Sequence, residues 1–423
     1  MRQVLLSICL SLFASSTSSA ETYVVRPDGT GDFPTIQAAL DAVAGGDVIE
    51  LTDGTFTGDG NRDLDFLGKD VTVRSQTGDP ATCVLDGGGS ATDPHRVFHF
   101  RNGETGRALL EGIQITGGWN DTPPRGGGVL LEGMSSPTFR SCLFEENYGS
   151  AVLCSTWCAP HFQDCEFRNN DGWQGGGIYS LAAQPVVNRC SFFRNSSTLA
   201  GGAIMAHGGR VTLDDCEFEG NVAGESGGAL MLLFGTQGEV SNCSFLNNSA
   251  EQAGAVFNFF ADLVLEGCTF IGNTANADGG AFASGKMSTT IMRNCTFYRN
   301  GARGGTLMCG ESWTRLENTI IAFGAEGQAI QVANRVTLVC CDLYGNPGGD
   351  WTTGIEDQYG INGNISEDPL FCDMENDDCT LDAASPCAPA NSGDCGLIGA
   401  LPVVCSGTAV EPTTWGAIKA SFR

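Results

Sequence analysis

The sequence predicts an all-β solenoid in which coils of about 25 residues stack with their strands parallel. The pattern C-x-F-x-x-N occurs seven times, with intervals of 23, 25, 26, 27, 25 and 27 residues between successive cysteines. Within each repeat, apolar and polar residues alternate over short runs separated by polar, glycine-rich breaks, as in residues 210–233. Alternation with a period of two is typical of strands. Strands that recur in one direction at this interval pair in parallel with their copies in the neighbouring coils.

The three fixed positions of the repeat predict three internal ladders. Cys and Phe are two residues apart, so they lie on the same face of one strand and point inward. Asn comes where the strand must turn, tolerates a left-handed backbone, and can bond to the Asn above and below. We therefore expect stacked rows of Cys142, Cys165, Cys190, Cys216, Cys243, Cys268 and Cys295, of Phe144, Phe167, Phe192, Phe218, Phe245, Phe270 and Phe297, and of Asn147, Asn170, Asn195, Asn221, Asn248, Asn273 and Asn300.

The first twenty residues read as a secretory signal. Arg2 gives a charged start, residues 4–14 form a short apolar run, and Ser18-Ser19-Ala20 supplies the small residues of a cleavage site. The apolar run is too short to span a bilayer as a mature helix. We therefore expect an exported protein, secreted or associated with the cell surface, whose cysteines can meet an oxidising environment.

Residues 21–60 are predicted to cap the first coil. Thr35 can cap a short helix beginning at Ile36, and Gly45-Gly46 ends it. Such a helix covers strand edges that would otherwise be unpaired. The coils then run over residues 61–345.

Residues 346–405 are predicted to form a cysteine-rich C-terminal cap. Its closely spaced cysteines suggest the local disulfides Cys372–Cys379 and Cys387–Cys395, with Cys405 also in this segment. Most ladder cysteines are expected to stay reduced, because stacked side chains run parallel and a disulfide would need an unusual dihedral. Residues 406–423 are a linker and tail, in which Trp415, Ile418 and Phe422 share a helical face.

The charge balance limits the partners of this chain. The formal net charge is −27, from 49 acidic and 22 basic residues. Such a surface repels nucleic acid and anionic lipid, and it repels a polyuronate unless calcium bridges the two. No further stretch is apolar for long enough to cross a membrane, so we expect no membrane span. We also expect the protein to be a monomer.

The repeat, with its continuation Gly227-Gly228-Ala229-Leu230, resembles that of polymorphic outer-membrane proteins, which are right-handed parallel β-helices of the pectin-lyase-like class. The resemblance covers about residues 110 to 310, and it implies this fold and a surface or adhesin role. Residues 23–56 are similar to the opening of pectin esterases. A leucine-rich repeat is the alternative, because "LDDCEFEGN" fits its consensus. The Gly-Gly return disfavours that fold.

The sequence assigns no catalytic residue. The fragments "AHGG" from Ala206, "LDDC" from Leu213 and "NADG" from Asn276 resemble pieces of polygalacturonase motifs, but they occur in the wrong order. A lyase would need calcium-binding carboxylates with an Arg or Lys base in one cleft, and spacing does not reveal such a cluster. A polysaccharide lyase or glycoside hydrolase remains the rival interpretation.

One acidic segment could hold a metal. "CDMENDDC" offers Asp373, Glu375, Asp377 and Asp378 as oxygen ligands, so calcium is the one cofactor that the sequence suggests. A solvated acidic loop is the alternative reading of this segment.

Three aromatic residues are the candidate binding site. Trp119, Tyr148 and Trp173 follow the turn position in three successive coils, where later coils have serine or valine. Aromatic rings in this arrangement could stack on the apolar faces of sugars. The leading hypothesis is therefore a non-catalytic, adhesion-like module that binds a polysaccharide or cell-surface glycan. A cleft combining carboxylates with Arg, Lys or His would instead favour the enzyme.

Overall fold

The computed structural model describes residues 20–123 and 125–406. The predicted signal lies outside these ranges except for its last residue. The tail residues Trp415, Ile418 and Phe422 also lie outside them. The described chain is a parallel solenoid with three long sheets, and a complete coil contributes one strand to each of the first two sheets and one or two strands to the third. In these ranges, no helix combines the length and the apolar character needed to span a membrane.

The first and second sheets contain 13 and 12 strands. The strands of sheet one are Thr22–Val25, Val48–Leu51, Thr72–Ser75, Leu109–Glu111, Thr138–Arg140, His161–Gln163, Val186–Asn188, Arg210–Asp214, Gln237–Ser241, Asp262–Glu266, Thr289–Arg293, Trp313–Glu317 and Arg335–Val339. Those of sheet two are Gly54–Phe56, Cys83–Asp86, Gln114–Thr116, Leu143–Glu145, Glu166–Arg168, Ser191–Phe193, Glu217–Glu219, Ser244–Leu246, Thr269–Ile271, Thr296–Tyr298, Ile320–Ala322 and Asp342–Tyr344.

The third sheet contains 15 strands in two legs, which meet in the long strand Gly301–Cys309. Its main leg comprises Phe98–Phe100, Val129–Leu131, Val152–Cys154, Ile178–Leu181, Ile204–His207, Leu230–Leu233, Val256–Phe259, Phe282–Ser284, Gly301–Cys309 and Glu326–Val332. The shorter leg comprises Asp171–Gln174, Ser196–Ala200, Val222–Ala223, Ser249–Ala250 and Thr274–Ala275.

The remaining elements lie at the two ends. The described α-helix is Ile36–Ala42, and short 3-10 helices lie at Glu356–Gln358, Met374–Asn376 and Gly393–Cys395. A small sheet joins Phe371–Asp373, Asp378–Asp382 and Val403–Cys405.

The phenylalanines of the repeat form one continuous stack inside the solenoid. From Phe144 to Phe297, consecutive ring centroids are 4.5 to 4.9 Å apart and the ring planes differ by 3° to 9°. All seven side chains are fully buried. This spacing is that of adjacent strands, so the in-register pairing of the coils imposes the face-to-face arrangement.

The asparagines bond from coil to coil at the corner between sheets two and three. The Nδ2 of Asn221 donates to Phe192 O at 2.9 Å and to Asn248 Oδ1 at 2.9 Å. Its Oδ1 accepts from the backbone N of Asn195 at 2.9 Å and from Asn195 Nδ2 at 3.1 Å. Since the site is buried, each amide satisfies backbone groups that water cannot reach.

The seven ladder cysteines are buried and unbridged in the structure. Their sulfurs take part in hydrogen bonds along the stack. Cys216 Sγ donates to Asp214 O at 3.3 Å, and Cys216 N donates to Cys243 Sγ at 3.4 Å. The thiols therefore act as small side chains that both pack and bond.

The N-terminal helix covers the start of the core. Thr35 Oγ1 accepts from Ala38 N at 3.2 Å, and Ile36, Ala39 and Leu40 are buried. Sheet one begins already at Thr22–Val25, inside the segment expected to be a cap, because this strand pairs in parallel with Val48–Leu51.

The C-terminal segment has two parts. Residues 346–365 cover the end of the last coil, where Gln358 and Asn364 bond its open backbone groups and Ile355 is buried. Residues 366–405, which we call the flap, fold back along the outer face of sheet two. Apolar flap residues pack there against outward side chains of three coils, including Phe371, Leu381 and Ile398 against Ile271, Tyr298 and Ile320.

The predicted local disulfides Cys372–Cys379 and Cys387–Cys395 are wrong. The structure instead joins Cys340 to Cys395 and Cys372 to Cys405, while Cys379 and Cys387 are free and buried. Cys379 packs in the apolar cluster under the flap, and Cys387 Sγ donates to Asp342 of sheet two at 3.2 Å. Packing between the flap and the coils, rather than sequence spacing, thus decides which sulfurs meet.

We expect Phe218→Ala to lower the free energy of unfolding by about 3–5 kcal/mol, because it leaves a cavity in the middle of the ring stack. Chemical denaturation followed by circular dichroism measures the loss. Val222→Ala, in the same coil but 46% exposed, is the matched control and should change stability by less than about 0.5 kcal/mol. Equal effects of the two substitutions would contradict the buried stack.

The sulfur chemistry gives a second prediction. Alkylating the unfolded, unreduced protein and mapping its peptides by mass spectrometry should label Cys216, Cys243 and Cys268. Cys340, Cys372, Cys395 and Cys405 should be protected as two disulfides. Protection of the ladder peptides would contradict the expectation of reduced thiols, and label on Cys372 or Cys395 would contradict the two bridges.

Candidate functional site

The outer faces of sheets one and two carry charges that pair from coil to coil. Arg74 Nη2 lies 3.0 Å from Glu50 Oε1 on sheet one, and Arg168 Nε lies 2.6 Å from Glu145 Oε1 on sheet two. Such cross-strand pairs keep the surface polar and hydrated, and they contribute little net stability. Apart from the region of sheet two that the flap covers, these faces follow the rule for a solenoid strand, with apolar side chains inward and polar side chains outward.

The outer face of sheet three departs from this rule. The parallel register places Tyr179, Met205, Met231 and Phe257 in one outward row, because their neighbours in the strand point into the core. A second outward row contains Leu233 and Phe259. We call these six residues the aromatic face.

The aromatic face is apolar and partly open to solvent. Met205 and Met231 are covered and form a small cluster with Ala200, while Tyr179, Leu233, Phe257 and Phe259 are partly buried against it. Phe257 and Phe259 are in ring contact at 5.9 Å. The partly exposed residues Tyr179, Leu233, Phe257 and Phe259 thus border a covered methionine pair. A cluster of neighbouring apolar residues that reaches the surface is a candidate interaction site, whereas single exposed apolar residues are not.

At the corner leading to sheet one, the patch continues onto two phenylalanines with unusual backbones. Phe234 and Phe260 have φ angles of 43° and 52°, in the left-handed region that disfavours bulky side chains. Phe234 is 52% exposed, and its ring lies 5.6 Å from Phe260 and 5.2 Å from His207. Left-handed residues recur at the corners of this solenoid, but Phe234 is one that places a large apolar ring at the surface. Core packing does not explain that exposed ring, which makes it a candidate binding residue.

The other end of the aromatic face approaches Trp173. This ring is 45% exposed, and the Arg125 guanidinium lies 5.4 Å from its centroid. Arg125 also acts on Tyr179: burial raises the pKa of Tyr179, and the nearby cation opposes that rise. The Tyr179 hydroxyl therefore stays protonated near neutral pH and can donate a hydrogen bond.

The structure brings two of the three sequence-predicted aromatics together. Trp119 and Tyr148 stack at 3.9 Å with planes 16° apart, and both are half-buried. Each covers one face of the other, and the buried Nε1 of Trp119 has no protein partner. Asp171 pairs with Tyr148 in the next coil, and in the described residues no ring contact joins Trp173 to either aromatic. Trp173 instead faces Arg125.

Carboxylates and arginines meet in a shallow cavity between sheets one and two. A space of about 370 Å³ is lined by acidic and basic side chains that include Asp164, Glu166, Arg189 and Asp215. Arg189 Nε lies 2.7 Å from Asp164 Oδ1, and this hydrogen bond raises the pKa of Arg189. A guanidinium held in this way keeps its proton, so it is a poor general base.

The four candidate calcium ligands mostly serve the local fold of the flap. Asp373 caps a 3-10 helix by accepting from Glu375 N and Asn376 N, and its bond from the Asn376 side chain lowers its pKa. Asp377 pairs with Arg299 at 3.2 Å, and Asp378 accepts from Thr380 Oγ1 at 2.6 Å. Across residues 20–123 and 125–406, no three His, Cys, Asp or Glu side chains are grouped to hold a metal ion.

Comparison with known proteins identifies the family. The family described as "Right handed beta helix region" matches residues 127–286 and 202–366, which together cover more than half of the chain. The chain belongs to the right-handed β-helix family. No curated protein sequence matches it significantly.

Solved structures similar to this β-helix include several proteins that act on polysaccharides. Pectate lyase Pel9A is 16% identical, with a TM-score of 0.45, over 92% of this chain and 97% of its own. A mannuronic acid specific polysaccharide family 6 lyase from human gut microbiota is 13% identical, with a TM-score of 0.38, over 75% and 83%. The pectin methylesterase from carrot is 10% identical, with a TM-score of 0.27, over 84% and 91%.

Sequence reasoning missed the aromatic face of this β-helix, although its signal was present. In "AIMAH", "ALMLLF" and "AVFNFF", the second and fourth residues after the first alanine are outward positions and should be polar. Methionine, leucine and phenylalanine occupy five of these six positions, and His207 occupies the sixth. Apolar residues at the outward positions of a half-exposed strand are the pattern that would have indicated the site.

We expect Phe234→Asn to leave the free energy of unfolding within about 0.5 kcal/mol of the original value. The lost ring contacts are offset by relief of the left-handed backbone, which Asn tolerates. Thermal denaturation measures the change. A loss above about 2 kcal/mol would mean that the ring is structural, and the argument for a binding role would then fail.

Proposed function

We propose that this β-helix is an exported, non-catalytic module that binds a carbohydrate chain along the aromatic face. The observation that carries the proposal is the contrast between the sheets. Sheets one and two present charged pairs outward, whereas the outward row of sheet three places the partly exposed rings of Tyr179 and Phe257 on either side of the covered Met205 and Met231. Maintaining such a patch on a soluble surface is costly unless it is covered by a ligand.

The dimensions of the face suit an extended glycan. Tyr179 and Phe257 are separated by three coil steps, or about 14 Å at the strand spacing. Aromatic rings offer flat apolar surfaces to the apolar faces of sugar rings. Polar groups that could bond to sugar hydroxyls stand beside them, namely the Tyr179 hydroxyl, the Arg125 guanidinium and the His207 ring.

The charge of the protein restricts the ligand to an uncharged glycan. With a net charge of −27, the surface repels polyanions in the absence of a bridging cation. Trp173, stacked under Arg125, extends the proposed site by one more aromatic ring. The Trp119–Tyr148 pair stays a separate prediction, because its rings cover each other.

One observation favours the enzyme as a second candidate. The cavity lined by Asp164, Glu166, Arg189 and Asp215 combines carboxylates with arginine, which is the composition expected for polysaccharide cleavage. Arg189 in this cavity is protonated and paired with Asp164. To abstract a proton from a substrate, Arg189 would first have to leave this pair. We therefore rank binding without cleavage above a lyase or glycoside hydrolase.

The test is a glycan panel probed with the mature protein. We expect binding to neutral glycans that weakens at least about tenfold in Tyr179→Ala and in Phe257→Ala, as for loss of a stacked aromatic ring in a binding site. The matched control is Trp313→Ala, which removes a 40% exposed aromatic from sheet one. Tyr148→Ala in the same panel tests the separate aromatic pair.

Two outcomes would overturn the proposal. One is equal binding by the Tyr179→Ala, Phe257→Ala and Trp313→Ala variants. The other is accumulation of new reducing ends or unsaturated products when the protein is incubated with the panel, with loss of that activity in Asp215→Asn. The second result would establish the enzyme instead.

A further inference from the structure

A buried carboxyl group lies at the junction between the flap and the coils. Asp342, in the strand Asp342–Tyr344 of sheet two, has no exposed surface. Its Oδ2 accepts from Cys387 Sγ at 3.2 Å and its Oδ1 from Glu367 N at 3.1 Å, and both donors belong to the flap. The described residues contain no Lys, Arg or His in an ion pair with it. Burial without a paired cation favours the neutral form of such an acid.

The groups that face Asp342 make its ionisation harder. The flap contributes the Cys387 thiol and Glu367, the segment covering the last coil contributes Asp350, and the adjacent strand position contributes the Cys341 thiol. Burial is the largest cause that raises the pKa of Asp342, to about 7, and the Glu367 and Asp350 carboxylates add to it. The bonds from Glu367 N and Cys387 oppose the rise.

The sign of the pH effect follows from this direction. A carboxyl group whose pKa is raised by folding binds its proton more tightly when the flap is closed. The closed flap is therefore most stable below the ordinary pKa of 3.8. It loses that stability as the pH rises toward about 7, where the closed form must also release the proton.

The flap covers an apolar surface that would otherwise be open. Under it lie Ile271, Tyr298, Ile320 and Ala322, which are outward residues of successive coils on sheet two. The Tyr298 hydroxyl donates to Met374 O in the flap at 2.9 Å. Opening would therefore expose a second apolar face, on a different sheet from the aromatic face.

We propose that residues 366–405 form a pH-controlled cover over sheet two, closed in acid and loosened in mild alkali, with Asp342 as the group that senses pH. The cover stays tethered when it opens, because the Cys340–Cys395 disulfide joins it to the last coils. The change is thus a local opening rather than a release. This inference does not rest on carbohydrate binding.

The free thiols of the protein report the opening directly. Cys379 lies buried in the flap, and Cys216 lies buried in the ladder beneath sheet two. We would label the folded protein with a maleimide at about pH 5.5 and about pH 8.5 and take the ratio of the Cys379 rate to the Cys216 rate. The ratio corrects in part for the general increase of thiolate with pH. We expect it to rise by about tenfold or more.

Two variants separate the sensor from other acids. Asp342→Asn should keep the ratio within about twofold over the same range, because the amide does not ionise. Asp394→Asn, an exposed acid of the flap, should behave as the original protein. A flat ratio in the original protein, or an undiminished rise in Asp342→Asn, would overturn the proposal.

If Asp342→Asn does not fold, hydrogen exchange on the original protein decides. Exchange in residues 366–405, corrected for the intrinsic pH dependence, should increase across the same interval while residues 210–233 stay protected. Equal protection of the flap at both pH values would overturn the proposal.

Discussion

The buried amide ladder is the interaction on which the rest of this β-helix depends. Each asparagine from Asn147 to Asn300 lies at the same corner of its coil and fixes the register of that coil against the next. Once the register is set, the phenylalanines must superimpose, the cysteines must align, and the outward rows of sheet three must coincide. An unpaired amide in this dry corner would leave several buried polar groups unsatisfied. The ladder therefore specifies the alignment of coils, while the aromatic stack fills the core beside it with fully buried rings.

The same register explains how the outer face of one sheet can differ from the others without disturbing the core. The inward Cys, Phe and Asn positions recur in seven coils, but outward positions are free to differ between the three faces. Sheet one uses this freedom for charge pairs, sheet two for charge pairs and then the flap contact, and sheet three for aromatic and sulfur-containing side chains. The row of Tyr179, Met205, Met231 and Phe257 is thus obtained by repeating one strand position, with no specialised loop to hold it.

How much the sequence predicted depends on whether the feature repeats. The spacing of Cys216, Phe218 and Asn221 is local and recurs seven times, so it indicated the strand, the inward face and the corner. The disulfides and the flap occur once, and they are set by contacts between distant segments such as Asp342 and Cys387. No pattern in the sequence encodes such a contact. Trp119 and Tyr148 meet because they lie opposite each other in neighbouring coils, whereas Asp171, and not Trp173, lies opposite Tyr148 in the next coil.

The variable coil length has an evolutionary consequence. The Cys-to-Asn segment is the same in every repeat, and the differences of a few residues lie in the connections that follow it. Unequal recombination between two such repeats would therefore insert or remove a whole coil with every internal ladder still aligned. Each added coil would lengthen all three faces by about 4.8 Å. The reach of a surface on this scaffold is then a heritable quantity that changes in discrete steps, by gene duplication rather than by point mutation.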